Sequence, residues 1–518
     1  MDLLANLALG AQTAFTLDAL LFCFIGVFVG TFVGALPGIG PLAAISVALP
    51  LTFGLEPTVA LIMLAGIFYG AQYGGSVTSI LLNLPGTPST AVTALDGYPM
   101  TKNGRAGLAL FINAVASFCG SSFAIVLVMG FAPTIADVAL EFTSTEYFCL
   151  MLLGLIAAST LGTGSTVKSF VMTVFGLILG LVGMDLNSGA MRYTFGFLEL
   201  TDGVSLVAVA MGLFGVAEIV SKMAASRSGL APKQQPAQVS LRSLLPRRGE
   251  LSRFWRPILR GSVVGSVIGA LPGAGPTIAA FLAYATEKKW ARDPKIFGTG
   301  AIEGVAAPEA ANNASVQSAF IPTLSLGIPG DVVMAILLGA MMMHGVVPGP
   351  QFIANEPAMF WGLIVSFWIG NIMLLVLNLP LIGLYVRVLT VPSRILYPAV
   401  IFFVCLGSYS VSNNVFDVFV TLVFGLIGYG LLWLRFNPAP VLLGFILGPL
   451  MEENLRRSLV VSRGDLGVFL ERPVSLVLLI LALLLVALPL VKRLRTRGLP
   501  GGRAGQAQEK AWHAPDAE

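Results

Sequence analysis

GTFVGALPGIGP occupies residues 30–41, and GSVIGALPGAGP occupies residues 265–276. The two agree at eight of twelve positions with a constant offset of 235: Gly30, Gly34, Ala35, Leu36, Pro37, Gly38, Gly40 and Pro41 against Gly265, Gly269, Ala270, Leu271, Pro272, Gly273, Gly275 and Pro276. Each copy interrupts an apolar run with proline and glycine, the residues least compatible with a helix interior. A second echo follows in the same order: Ser76-Val77-x-Ser79 against Ser315-Val316-x-Ser318, then Leu84-Pro85-Gly86 against Ile328-Pro329-Gly330, with the spacing differing by five residues. Two echoes in one order indicate an internal duplication that preserves its helix breaks.

The breaks lie in a chain built for lipid. Of its 518 residues 56% are hydrophobic and 11% charged, against roughly 25% charged in a soluble domain. Runs such as 20–36, 170–184, 362–385 and 474–491 carry no charge and mostly approach the ~20 residues that span a bilayer. Inside a bilayer such runs satisfy their backbone only as helices, so the expected fold is an all-α polytopic membrane protein of about 10–12 transmembrane helices. Cys23, Cys119, Cys149 and Cys405 are scattered without pairing or ligand spacing and read as small buried apolar residues. No cleaved signal peptide, resident cofactor or nucleic-acid partner is expected; the lipid bilayer is the expected surroundings.

Lys and Arg collect in cytoplasmic loops, and here their distribution is uneven. None occurs in the first 101 residues; they cluster at Lys102 and Arg105, through 222–260, and from Lys492 to Arg503. This predicts a periplasmic N-terminus and a cytoplasmic C-terminus. The chain then divides into a first membrane repeat (1–221), a cytoplasmic basic linker (222–257), a second repeat with extra C-terminal helices (258–491) and a polar cytoplasmic tail (492–518). Asp18 and Glu56 bracket the first Pro-Gly segment on the outer side, whereas Arg260 and Glu287-Lys288-Lys289 bracket the second on the inner side. The copies are therefore read as inverted. About 12–17 residues flank each turn, a length suited to a re-entrant hairpin.

Inverted repeats with interrupted helices point to a secondary transporter whose substrate sits between the repeats near the midplane. A Pro-Gly turn frees backbone N–H groups at the start of a half-helix and forms an anion site without a buried cation. On this reading Pro37, Gly38, Gly40, Pro272, Gly273 and Gly275 are candidate substrate-binding positions. Asn83, Gly86, Thr87, Ser89 and Thr90 add an amide and hydroxyls beside a second break, and Asn312 and Asn313 stand in what is read as the counterpart region, Pro308–Asn313. The alternatives are plain kinks, helix-packing contacts or loop positions. Glu309 and Asn312, with no cation until Arg387, are the candidate ion-coupling residues, Glu309 as the carboxylate. A desolvated carboxylate holds a proton more tightly, and with amide oxygens it coordinates sodium instead; the other reading is a helix cap or loop residue. No metal site other than one for sodium is expected.

The motifs GTFVGALPGIGP, GAQYGGSVTSILLNLPGTPST (70–90), GALPGAGP and PEAANNA together resemble the large membrane subunit, TctA, of the tripartite tricarboxylate transporters, over roughly residues 15–490. The resemblance implies a bacterial inner-membrane permease that imports citrate-like or other carboxylates on an ion gradient. It also implies two partners, a small membrane subunit (TctB-like) and a periplasmic solute-binding protein (TctC-like).

Other functional classes fit less well. There is no G-x-x-x-x-G-K-[ST] for ATP, and Gly38-x-Gly40 lacks the third glycine of a dinucleotide loop. An intramembrane enzyme has little to work with: His344 and His513 are the two histidines, and Ser165-x-x-Lys168 reads as a loop at a helix end rather than a catalytic dyad. A non-transporting scaffold would not need a pair of broken helices.

Overall fold

A computed structural model describes residues 3–36, 40–161, 165–185, 188–227, 241–244, 246, 250–388 and 393–497. The first half runs α1 (Leu3–Ala14), α2 (Leu17–Gly34), α3 (Pro41–Ala48), α4 (Pro57–Leu82), α5 (Ala91–Lys102), α6 (Ala106–Ala139), α7 (Ser144–Leu161), α8 (Thr166–Gly180), α9 (Leu206–Ala210) and α10 (Ala217–Arg227). The second runs α11 (Leu251–Gly269), α12 (Gly275–Trp290), α13 (Glu303–Ser318), α14 (Phe320–Leu326), α15 (Val332–Met343), α16 (Pro350–Asn355), α17 (Pro357–Val388), α18 (Ser393–Ser412), α19 (Val415–Trp433), α20 (Ala439–Val461), α21 (Val468–Glu471) and α22 (Pro473–Arg497). Among the described residues the only strands are the paired Gly183–Met184 and Met191–Arg192. Much of the basic linker and everything after 497 lie outside the described residues.

The expected all-α polytopic membrane fold is what the chain adopts. Among the described residues six helices are long and apolar enough to cross a membrane, accompanied by apolar helices of 10–17 residues. Several of these shorter helices adjoin a break, which is how proline and glycine divide a hydrophobic run. Large side chains such as Leu17, Phe419 and Leu483 are exposed on the outer helices, a liability in water that suits lipid. α4, by contrast, is buried along its whole length, so its polar residues face protein.

The order of elements recurs: α2, α3, α4, α5 and α6 are answered by α11, α12, α13 with α14, α15 and α17. Glycine ladders hold each pair of long helices. A Cβ on Gly26, Gly30 or Gly34 would stand 2.1–2.4 Å from the carbonyl oxygens of Met63, Ile67 and Ala71, and one on Gly261, Gly265 or Gly269 would stand 2.2–2.3 Å from those of Ala307, Ala311 and Ser315. Without Cβ atoms the backbones touch, and packing replaces the hydrophobic effect that lipid cannot supply.

The ladders also correct the register of the second echo. Met63/Ala307, Ile67/Ala311 and Ala71/Ser315 are equivalent in packing, each pair 244 apart, and the same offset reaches Gly86/Gly330. Ser315 therefore stands where Ala71 does, and its likeness to Ser76 is one of sequence alone. Likewise Pro308–Asn313 is not the counterpart of the Asn83–Thr90 break: it lies inside α13, and the equivalent break is 327–331. There Gly327 (φ 69°) ends α14 in the left-handed region, as Asn83 (φ 55°) ends α4.

The halves are tied by Asp96 of α5, which is fully buried. Its Oδ1 accepts from the backbone N–H groups of Gly298 (2.8 Å), Gly300 (2.9 Å) and Ala301 (2.8 Å), and its Oδ2 accepts from Tyr284 Oη (2.9 Å).

Candidate functional site

A cavity of about 290 Å³ is lined by broken segments from both halves. Gly40, Pro41, Gly86, Thr87 and Ser89 face it from the first, Gly273, Gly275 and Asp331 from the second, and Gln72 of α4, Ala158 of α7 and Leu443 of α20 are among the other wall residues. No Lys, Arg or His appears among the described lining residues.

The first half supplies hydroxyls. Gln72 Oε1 accepts from Thr87 Oγ1 (3.1 Å) and Ser89 Oγ (3.0 Å), and the two hydroxyls lie 2.9 Å apart. Thr90 sits behind them: its Oγ1 accepts from Ser79 Oγ (2.8 Å) and donates to Thr87 O (2.9 Å). Gly40 is extended at the N-cap of α3, and a Cβ there would meet nothing within 4 Å.

The second half is built differently. Gly273 (φ 79°) donates its N–H to Gly330 O (2.8 Å), so the turn spends that donor on the neighbouring break rather than offering it to a ligand. A Cβ on Gly273 would stand 2.2 Å from Ala158 Cα. Asp331, equivalent to Thr87, caps α15 by accepting from Met334 N (2.8 Å). The other carboxylate at the cavity, Glu218, pairs with Lys222 at 3.3 Å.

One layer deeper lies Glu309, fully buried. Ser76 Oγ lies within donating distance of both of its carboxylate oxygens (2.9 Å each), and Thr93 Oγ1 also donates to it. Asn313 Nδ2 donates to Glu309 O (3.0 Å) and to Ser117 Oγ (2.8 Å). Among the described residues the side chains of buried Asn312, beside Glu309, and of Asn113 on α6 make no hydrogen bond of good geometry. No ion pair to Glu309 occurs among the described residues. A buried carboxylate without a cation is costly, and binding a proton or a metal cation removes that cost.

The cavity and Glu309 are connected at helical spacing. Gln72 and Ser76 are i,i+4 on α4, Ser89 precedes Thr93 by the same interval, and positions four apart share a helix face. The first of each pair touches the cavity and the second touches Glu309. Ser76 Oγ also lies 3.3 Å from Gln72 O.

The structure thus brings Gly40, Gly86, Thr87, Ser89, Gly273 and Gly275 together at one cavity and gathers Glu309, Asn312 and Asn313 behind it. Pro272 is not among the lining residues, and Asn83 is an exposed helix cap. Pro37 and Gly38 lie outside the described residues. Sequence reasoning missed Gln72, Thr93, Ser117 and Asp331 as site residues and took Ser76 only as a repeat marker. Asp331 was recoverable by carrying the 244 offset one residue past Gly86/Gly330. Lys168 caps a helix end, donating to Leu434 O (2.7 Å) with its ammonium 4.3 Å from the Phe436 ring centroid. His344 Nε2 lies 3.1 Å from Thr52 Oγ1.

The model of the tripartite tricarboxylate transporter TctA family matches residues 20–443. An uncharacterized 52.8 kDa protein in the TAR-I ttuC' 3' region of Agrobacterium vitis is 48% identical over 500 residues, covering 96% of this chain and 98% of the relative. An uncharacterized protein in the TAR-II ttuC' 3' region of the same organism is 52% identical over 223 residues, 43% of this chain and 92% of the relative. The order of broken helices and the family match over most of the chain agree: this multi-pass membrane protein belongs to the TctA family of tripartite tricarboxylate transporters.

Proposed function

We propose that the chain is the large permease subunit of a secondary, ion-gradient-driven uptake system for tricarboxylates or related carboxylates. In this reading it lies in a bacterial inner membrane, N-terminus periplasmic, and works with a small membrane subunit and a periplasmic solute-binding protein. The carrying observation is that helix breaks from both halves, with the Thr87 and Ser89 hydroxyls, converge on one cavity whose described lining holds no cation.

The electrostatics favour cation coupling. A carboxylate that enters a cavity already containing Asp331 meets repulsion in a low-dielectric setting, so neutralising charge must accompany it. Glu309 is the buried acid placed to take that charge, held by Ser76 and Thr93 one helical turn from the cavity residues Gln72 and Ser89. Sodium and proton are both compatible with a carboxylate beside Asn312.

The test is uptake of labelled citrate and related carboxylates into proteoliposomes containing the chain with its two partner subunits. Imposed sodium and proton gradients are applied separately. Accumulation under one gradient and its loss when the partners are omitted support the reading; accumulation under neither gradient for any carboxylate overturns it.

A further inference from the structure

A second cavity, of about 740 Å³, lies on the far side of the 327–331 break. Three separate walls run from one cavity to the other. The break itself faces the large cavity with Gly327 and the small one with Asp331. α7 faces the large cavity with Met151 and the small one with Ala158, and α20 does so with Leu450 and Leu443. On both helices the step is seven residues, about 10 Å at the helical rise. Between these levels the break contributes Ile328, 1% exposed, and α7 contributes Gly154; a Cβ on Gly154 would stand 3.0 Å from Ile328 Cγ2. Below that contact Gly330 is held by the hydrogen bond from Gly273 N.

We infer that the two cavities are the two ends of one solute path, and that the Ile328 side chain seated on Gly154 is the plug that separates them. A glycine opposite the isoleucine lets the apolar side chain close the path without a gap. The hydrogen bond from Gly273 to Gly330 links the plug to the Pro-Gly turn at the small cavity, so a change there reaches the plug directly. The larger cavity then serves as a vestibule for the same carboxylate; Arg457, paired with Glu453, is the one cation among its described lining residues. This inference rests on the proposed transport function.

The test uses the full chain with its partner subunits in proteoliposomes, with the four native cysteines replaced by alanine. The pair Gly154→Cys and Ile328→Cys is oxidised and then reduced: cross-linking is expected to abolish carboxylate uptake and reduction to restore it. Uptake at the uncross-linked rate after complete cross-linking overturns the plug. Single cysteines at Gln351 in the large cavity and Thr277 in the small one give a readout independent of transport. With an impermeant maleimide they should react from opposite faces, and Ile328→Ala should make position 277 reactive from both. Reaction of both from the same face in the otherwise unaltered protein overturns the inference even where no carboxylate is transported, whereas absent uptake with opposite-face labelling counts against the proposed function alone.

Discussion

Ser76 Oγ lies 2.9 Å from each carboxylate oxygen of Glu309, joining the buried helix of the first half to the most buried acid of the second. The contact links the coupling candidate to the helix that also presents Gln72 to the cavity. Glu309→Gln keeps the size of the side chain and removes its charge. It should abolish gradient-driven accumulation while equilibrium binding of substrate stays detectable. Ser76→Ala removes one hydrogen bond to a charged group, worth about 1.5–3 kcal/mol, and should lower uptake while displacing the half-maximal ion concentration roughly ten- to hundredfold. Parent-like accumulation by Glu309→Gln would assign coupling elsewhere, and replacing sodium by choline at fixed pH names the ion.

Gly40 and Gly34 separate occlusion from misfolding. A Cβ at Gly40 meets nothing within 4 Å, whereas one at Gly34 stands 2.1 Å from Ala71 O. Gly40→Leu should therefore insert and purify normally yet transport nothing, its side chain occupying the cavity. Gly34→Leu should reduce the yield of monodisperse protein. Size-exclusion profiles alongside uptake rates check both, and normal transport by Gly40→Leu would remove that turn from the site.

Thr87 and Ser89 share one acceptor, Gln72 Oε1. Thr87→Val and Ser89→Ala should each weaken apparent substrate affinity by the equivalent of about 0.5–1.5 kcal/mol, a few-fold to tenfold. Because they act through one oxygen, the double substitution should cost less than the sum of the singles. Strict additivity in the measured affinities would mean that the two hydroxyls work independently.

The helix breaks were legible in the sequence because Pro and Gly carry backbone meaning wherever they stand. GTFVGALPGIGP located the first turn, and its echo placed the duplication and the helical membrane class. What could not be read was register inside the helices: Ser315 resembles Ser76 by letter but occupies the packing position of Ala71, which only the glycine ladder reveals. Gln72 and Thr93 were missed for a related reason. Gln72 stands inside the 70–90 motif but acts through hydroxyls 15 and 17 residues further on, and Thr93, just past that motif, acts on Glu309, 216 residues away in sequence. Asp331 went unnoticed because its equivalent is a threonine, so the two halves differ in chemistry where they agree in backbone.

Asp96 is a stability prediction. Its carboxylate accepts three backbone N–H groups and the Tyr284 hydroxyl. Asp96→Ala leaves those donors without a partner at about 1–3 kcal/mol each. It should lower the thermal unfolding midpoint steeply or prevent isolation of folded protein. Tyr284→Phe removes one hydrogen bond to a charged group and should be milder, about 1.5–3 kcal/mol. An Asp96→Ala variant as stable as the parent would show that the 298–301 loop holds its place without the carboxylate.

The proposed inversion of the two hairpins makes a prediction about sidedness. Asp18 is exposed in the first turn of α2, at the base of the first hairpin. Lys289 is exposed in the last turn of α12, at the base of the second, where Arg260 pairs with Glu287 and lies 5.8 Å from the Trp290 ring centroid. The first base has no Lys or Arg nearby in sequence, and the second is rich in them. Basic residues are retained on the cytoplasmic side during insertion, so the proposed orientation has the two bases on opposite faces. In a background lacking the native cysteines, Asp18→Cys should react with an impermeant thiol reagent in intact spheroplasts, and Lys289→Cys only in inside-out vesicles. Neither position is buried, so slow reaction through lack of access is not a competing explanation. If both react from one face, the two Pro-Gly turns are parallel copies, and the midplane site between opposed hairpins must be abandoned.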